Sequence, residues 1–368
     1  MSELKLKSGI TSGSCAAAAA RAALLAMQGL MPPCVELTTP GGNRLLVPIY
    51  SAEGFADGGR ACVIKDAGDD PDITDGVSIW AEVRLTLQQP QITFVAGEGI
   101  GKVTLPGLQI SVGEPAINPV PRQMIEAAIR PLLPENAGAR VTISIPGGEK
   151  LARRTLNPTL GIVGGLSIIG TTGIVEPMSE EAFKSSLKPQ ISVAKALGFD
   201  SIVMVPGKIG QDFAVHRYGL PAVAVVQTSN FIGYMLESAV EFGIKDVLLF
   251  GHLGKLVKVA GGVFHTHNRM ADARMETLAA YMAAEGAPQA AVRAVLECTT
   301  TEAAIPILQV YSLEPVYSVL ARRASIRAQR FVFEDLAVGT AIVSMKGELL
   351  GLDDSARRIG GSLAWNIN

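Results

Sequence analysis

Val247-Leu248-Leu249-Phe250-Gly251-His252-Leu253-Gly254-Lys255 sets four large apolar residues directly ahead of a loop of glycine and basic side chains. An apolar run without polar alternation describes a strand buried on both faces, as a parallel sheet covered by helices requires. The same arrangement recurs elsewhere. Ile202 to Val205 runs into Pro206-Gly207-Lys208, Ala222 to Val226 into Gln227-Thr228-Ser229-Asn230, and Leu166 to Ile169 into Gly170-Thr171-Thr172-Gly173. Between two of these runs Ile232, Met235, Leu236 and Ala239 fall at i, i+3, i+4 and i+7, with polar residues before and Gly243 after, which predicts a helix. Strand, polar loop and helix in repetition predict a Rossmann-like doubly wound parallel-sheet domain over residues 158–368. Past Ala271 it becomes mainly helical, with short strands in Phe331 to Leu352.

Upstream the rhythm differs. A helix is expected from Ser14, a good N-cap residue, through an alanine-rich body to Gly29, which suits a left-handed C-terminal position. Short β-type runs follow at Val35 to Thr38, Leu45 to Ile49, Val77 to Leu87 and Ile92 to Val95, then a helix near Arg122 to Leu132 and a strand at Val141 to Ile145. Residues 1–157 therefore read as an α+β domain, making the whole chain α/β with α+β, and the boundary is expected near Asn157 and Pro158.

The 368 residues exceed what one core usually organises, so two domains are expected. Basic and acidic residues nearly balance, 32 against 34, and no basic stripe interleaved with aromatics is present, which disfavours nucleic-acid binding. Cys15, Cys34, Cys62 and Cys298 are scattered without CxxC spacing and read as buried free thiols in a reducing compartment. No apolar run reaches the roughly 20 residues a bilayer span needs, so a cytoplasmic protein with no membrane contact is expected.

In an open parallel sheet, ligands sit outside the carboxyl ends of the strands. Gly170, Thr171, Thr172 and Gly173 offer close backbone approach and hydroxyls, while Gln227, Ser229, Asn230 and Gly251 occupy two further strand ends. The dinucleotide fingerprint GxGxxG is absent, which disfavours a nicotinamide site. Lys65-Asp66-Ala67-Gly68-Asp69-Asp70-Pro71-Asp72 crowds carboxylates together. It reads either as a solvated turn or as a functional loop in which one aspartate accepts a proton, with a raised pKa, or hydrogen-bonds a substrate. Gly251 to Arg274 holds three of the four histidines, with Lys255, Lys258, Arg269, Asp272 and Arg274. The cluster reads as a surface patch, as a cationic rim for an acidic ligand, or, through His265, His267 and Asp272, as a metal site; no matching Cys or Glu cluster supports the last.

Seven ordered segments carry a family resemblance. They are Gly9 to Ala17 (GITSGSCAA), Lys65 to Gly76 (KDAGDDPDITDG), Gly97 to Leu108 (GEGIGKVTLPGL), Val112 to Pro121 (VGEPAINPVP), Asn157 to Ser179 (NPTLGIVGGLSIIGTTGIVEPMS), Ser229 to Leu236 (SNFIGYML) and Gly251 to Arg274 (GHLGKLVKVAGGVFHTHNRMADAR). Together they resemble the cobalt-precorrin-5B C1-methyltransferase family, CbiD, of anaerobic cobalamin biosynthesis. Two positions depart from the family pattern: Thr11-Ser12-Gly13-Ser14 stands where Thr-Thr-Gly-Thr is expected, and His265 where Asn is more usual. His265 is therefore given no catalytic role.

The resemblance implies methyl transfer from S-adenosylmethionine to ring carbon C1 of cobalt-precorrin-5B, giving cobalt-precorrin-6A. Cobalt would arrive only as part of the tetrapyrrole, with no protein-bound metal. On this reading Gly170, Thr171, Thr172, Gly173, Gln227, Ser229, Asn230 and Gly251 hold the donor. Asp66, Asp69, Asp70 and His252 are the catalytic candidates, while Lys65, Lys255, Lys258, His267 and Arg269 receive the substrate's acetate and propionate groups. The resemblance leaves room for a homo-oligomer or transient contact with neighbouring pathway enzymes. Two rival readings stand beside it: a nicotinamide-dependent oxidoreductase, since the fold alone does not fix the chemistry, and a non-catalytic tetrapyrrole carrier.

Overall fold

In a computed structural model, residues 6–87 and 89–366 are described. The chain is mixed α/β, with parallel and antiparallel sheets, and divides into two compact units, Met1–Glu180 and Glu181–Asn368. The division falls later than the expected change at Asn157, because residues 158–180 thread along the first unit. Leu166 N–H bonds to Gly99 carbonyl at 2.8 Å and Ile168 N–H to Ala116 carbonyl at 2.8 Å. Left-handed Gly161, Gly164, Gly170 and Gly173 interrupt any regular strand there. Leu166 to Ile169 accordingly makes only isolated bridges, Ile100 to Leu166 and Ile117 to Ile168, and is no strand of the parallel sheet.

The first unit is built around helix α1 (Ser12–Met27), whose alanines are almost all fully buried. Thr11, rather than the expected Ser14, is the N-cap, its hydroxyl accepting from Ser14 N–H at 3.2 Å. Gly29 closes the far end at φ +79°. The helix packs on a five-stranded sheet containing β1 (Ser51–Phe55), β2 (Gly58–Ile64), β3 (Ser78–Thr86), β4 (Ile92–Ala96) and β5 (Gly138–Ser144) in the order β1-β2-β3-β5-β4. Pairing is antiparallel except between β4 and β5. Alanines on the helix and glycines on the sheet have one cause: a Cβ on Gly59 would stand 2.0 Å from Ala23 carbonyl oxygen. A second helix, α2 (Pro119–Ile129), covers another side of α1 and begins three residues earlier than the Arg122 expected from sequence. Cys15 and Cys62 are buried thiols, but Cys34 and Cys298 are only half-buried.

The second unit carries the parallel sheet. Strands β6 (Ser201–Val205), β7 (Val225–Gln227), β8 (Asp246–His252), β9 (Ala337–Val343) and β10 (Leu349–Leu352) lie in the order β7-β6-β8-β9-β10, the first four parallel and β10 antiparallel. Val203 pairs with both Val225 and Leu248, and Leu248 with Gly339. Helices α3 (Ile232–Glu241) and α4 (Leu253–Ala260) follow β7 and β8. Helix α5 (Pro315–Phe331) precedes β9, and α6 (Asp354–Ser362) ends the unit. Gly351 approaches Tyr317 of α5 and Gly339 approaches Ala356 of α6, so these helices cover opposite faces of the sheet. Burial on both faces is why β8 reads as a continuous apolar run.

Candidate functional site

The loops after β7 and β8 are joined by polar contacts. Asn230 Oδ1 accepts from Lys255 Nζ at 2.5 Å, and Asn230 carbonyl from Thr266 N–H at 2.9 Å. Phe231 and His265 form a bridge, with rings 4.9 Å apart. Gln227 donates through Nε2 to Gln211 at 2.7 Å, and its backbone N–H bonds to the buried Gln190 Oε1 at 3.0 Å. Ser229 sits at φ +51°, turning the chain sharply between strand and helix. A Cβ on Gly251 would come 2.9 Å from the Pro206 ring, so glycine lets the ends of β6 and β8 approach closely. Thr266 Oγ1 is fully buried and has no hydrogen-bond partner among the described residues, beside the carbonyl that receives both Lys255 and Lys258.

His252 is the N-cap residue of α4. Burial, then the Lys255 and Arg274 charges, push its imidazole down to about 4, so it is neutral near pH 7. Burial, then Lys258 and Arg274, likewise lowers the Lys255 ammonium. The expected carboxylate-binding role is corrected for Lys258, which is only 1% exposed. Its ammonium is spent on Thr266 carbonyl at 3.2 Å, Asn268 Oδ1 at 2.8 Å and Ala271 carbonyl at 2.9 Å. His267 and Arg269 are exposed and share a turn in which Arg269 N–H donates to His267 Nδ1 at 3.2 Å. Asp272 is held by Arg274 at 2.6 and 2.8 Å and kept well ionised by it. Among the described residues no three His, Cys, Asp or Glu side chains gather closely enough to hold a metal ion.

Gly170 to Gly173 belongs to the first unit and lies on the start of α1. Ser14 Oγ donates to Gly173 carbonyl at 2.6 Å, Gly13 N–H to Ile169 carbonyl at 3.0 Å, and Ser12 Oγ to the same carbonyl at 3.1 Å. Gly170 at φ +133° has no room for a Cβ, which would meet Thr11 at 2.5 Å. Thr171 and Thr172 are exposed. The loop is therefore not at a strand end of the parallel sheet, as the sequence pattern implied. Its glycines serve a close fit to α1.

The aspartate-rich loop is a braced turn. Asp66 pairs with Lys7 Nζ at 2.6 Å and accepts from Gly68 N–H at 2.8 Å; these two bonds hold its carboxyl below the usual range, opposite to the raised pKa expected. Asp69 accepts Lys7 N–H at 2.6 Å, and Asp70 accepts Met178 N–H at 2.9 Å. Lys65, expected to meet substrate, is 2% exposed and locked to Asp72 at 2.6 Å. Gln190, Gln211 and Thr266 were missed because buried polar side chains carry no motif of their own.

Polar loops joined at the carboxyl ends of parallel strands define an open α/β protein with a candidate small-ligand site. The chain belongs to the CbiD family: residues 1–177 match the CbiD model and residues 265–354 the model of the CbiD C-terminal domain. The cobalt-precorrin-5B C(1)-methyltransferase of Moorella thermoacetica is 52% identical, covering 98% of this chain and 99% of that one. The protein of the same name from Methanocaldococcus jannaschii is 45% identical, covering 94% and 96%. A crystal structure of a cobalamin biosynthesis protein (cbiD) from Archaeoglobus fulgidus is 28% identical, covers 74% of this chain and 84% of that chain, and has a TM-score of 0.39.

Proposed function

We propose that the protein methylates ring carbon C1 of cobalt-precorrin-5B with S-adenosylmethionine. The observation that carries this reading is the 52% identity to a cobalt-precorrin-5B C(1)-methyltransferase along nearly the whole of both chains. In methyl transfer the substrate carbon bonds to the sulfonium methyl as the sulfur–methyl bond breaks, and the electron pair returns to sulfur. The strand order β7-β6-β8-β9 supports a Rossmann-like doubly wound reading of the second unit, with the chain reversing direction beside β6. We place the donor on Gln227, Ser229, Asn230, Gly251 and His252. Among the described residues the buried Thr266 hydroxyl has no hydrogen-bond partner, which supports a polar ligand there.

Within that site each residue has a defined task. Lys255 fixes the Asn230 amide with its oxygen toward the ammonium, leaving the amide nitrogen to donate. The neutral imidazole of His252 can accept a proton at a ring nitrogen. Exposed His267 and Arg269 are available to peripheral carboxylates, whereas Lys258 holds the Thr266–Ala271 loop in shape. Most of the rate is then expected from aligning two reactants rather than from acid–base chemistry.

Anaerobic incubation with methyl-labelled S-adenosylmethionine and cobalt-precorrin-5B tests the proposal. One labelled methyl at C1, located by NMR, supports it. Hydride exchange with a nicotinamide would point to an oxidoreductase, and tight retention of unaltered tetrapyrrole to a carrier.

A further inference from the structure

We infer that Arg323 and Arg327 form a clamp for carboxylates of the tetrapyrrole, an assignment that rests on the methyltransferase reading above. Both lie on α5, four residues apart and hence on one face of the helix, and Arg330 continues that face at i+7. Each of Arg323 and Arg327 buries its Nε atom, and among the described residues neither Nε has a hydrogen-bond partner. Among the described residues neither guanidinium joins an ion pair, although other basic side chains of the second unit do. The lysines from which carboxylate binding was expected are differently placed: Lys258 is consumed by protein acceptors and Lys255 is turned onto Asn230 and Thr266.

Gly262 adds a second observation. A Cβ built on it would stand 3.7 Å from Arg327 Nη1, 3.8 Å from Cζ and 3.9 Å from Nε. Nearly equal distances put that position over the guanidinium face, so glycine, here at φ +88°, leaves uncovered what any side chain would overlie. An arginine offers a carboxylate two parallel N–H groups, and with each Nε buried in the protein the fork open to a ligand is the end-on one made by the two Nη groups. Acetate and propionate arms on a small macrocycle carry their carboxylates on short flexible stems, so two of them can meet two neighbouring guanidinium tips at once. Residues four apart on a helix are about 5–6 Å apart at their Cβ atoms, a spacing suited to two arms on one rim.

The test is a fluorescence titration of the full chain with an octacarboxylate porphyrin, beside one with a neutral glycol-substituted porphyrin. It is paired with anaerobic steady-state kinetics. The double variant R323Q/R327Q should weaken octacarboxylate binding at least 20-fold and each single variant about fivefold, while R322Q, on another face of α5, stays within twofold. KM for the tetrapyrrole should rise, with kcat and the donor KM unchanged. If the double variant does not fold, the single variants and R323K/R327K, which keep charge but lose the fork, carry the same comparison. Unchanged octacarboxylate affinity in folded variants, or an equal loss toward the neutral porphyrin, overturns the clamp. Methyl transfer with an unaltered tetrapyrrole KM would do so while leaving the proposed function standing. Wild-type binding without methyl transfer would do the reverse.

Discussion

At the level of single residues, glycines and one histidine make the sharpest demands. Gly170→Ala places a methyl group 2.5 Å from Thr11 at a φ of +133°, so it should destabilise the first unit by about 2–3 kcal/mol, seen as a lower Tm in calorimetry. Donor affinity of the folded variant should be unchanged; its loss at a native Tm would return the donor to this loop. His252 has its imidazole lowered from 6.5 to about 4, so the unfolded chain takes up a proton first as pH falls. Its contribution to stability is full above about pH 6.5 and is lost down to pH 4, on the order of 3 kcal/mol in all. His252→Gln should flatten that part of the stability curve in urea titrations at stepped pH, and an unchanged slope would show the histidine to be solvated. These residues look alike in sequence. Gly170 and Gly251 both end apolar runs, yet one fits a helix start and the other a strand crossing, a difference set by tertiary neighbours.

Among elements, Thr11→Ala removes the cap of α1 and should cost about 1 kcal/mol, measurable by denaturant unfolding. Lys258→Met should cost about 2 kcal/mol and expose residues 266–271 to fast hydrogen exchange, because one ammonium ties three acceptors there. Retained protection would show that the backbone alone fixes the loop. The legibility of these elements follows burial. Strands β6 and β8, apolar through their middles, were readable within a residue or two of their ends, as was α3, whose apolar stripe is regular. Leu166 to Ile169 has the same composition but lies among glycines, which route it along Gly99 and Ala116 instead of into a sheet. Part of the candidate site was legible through Gln227, Asn230 and His252. The spent state of Lys65 and Lys258 was not, because burial of a lysine depends on chain segments far from it in sequence. Arg323 and Arg327 were passed over because arginines on a helix ordinarily mark a solvated face.

For the molecule as a whole, two compact units each enclose apolar residues, so a fragment beginning at Glu181 and running to the C-terminus should fold on its own. A single cooperative melt and dispersed amide NMR signals would bear this out; a molten fragment would show that the second unit needs the first. Net charge is only −2, yet α5 presents arginines without ion-pair partners among the described residues, so ligand binding should weaken steeply with salt although the protein as a whole is almost neutral. The parallel sheet also has its seven-residue strands, β8 and β9, inside and its short ones, the three residues of β7 and the four of β10, at the margins. So little free backbone at either border gives a stray chain almost nothing to zip onto. Concentrated stocks of the folded protein should therefore stay clear of fibrils on long storage, with aggregation setting in only once heating opens the sheet.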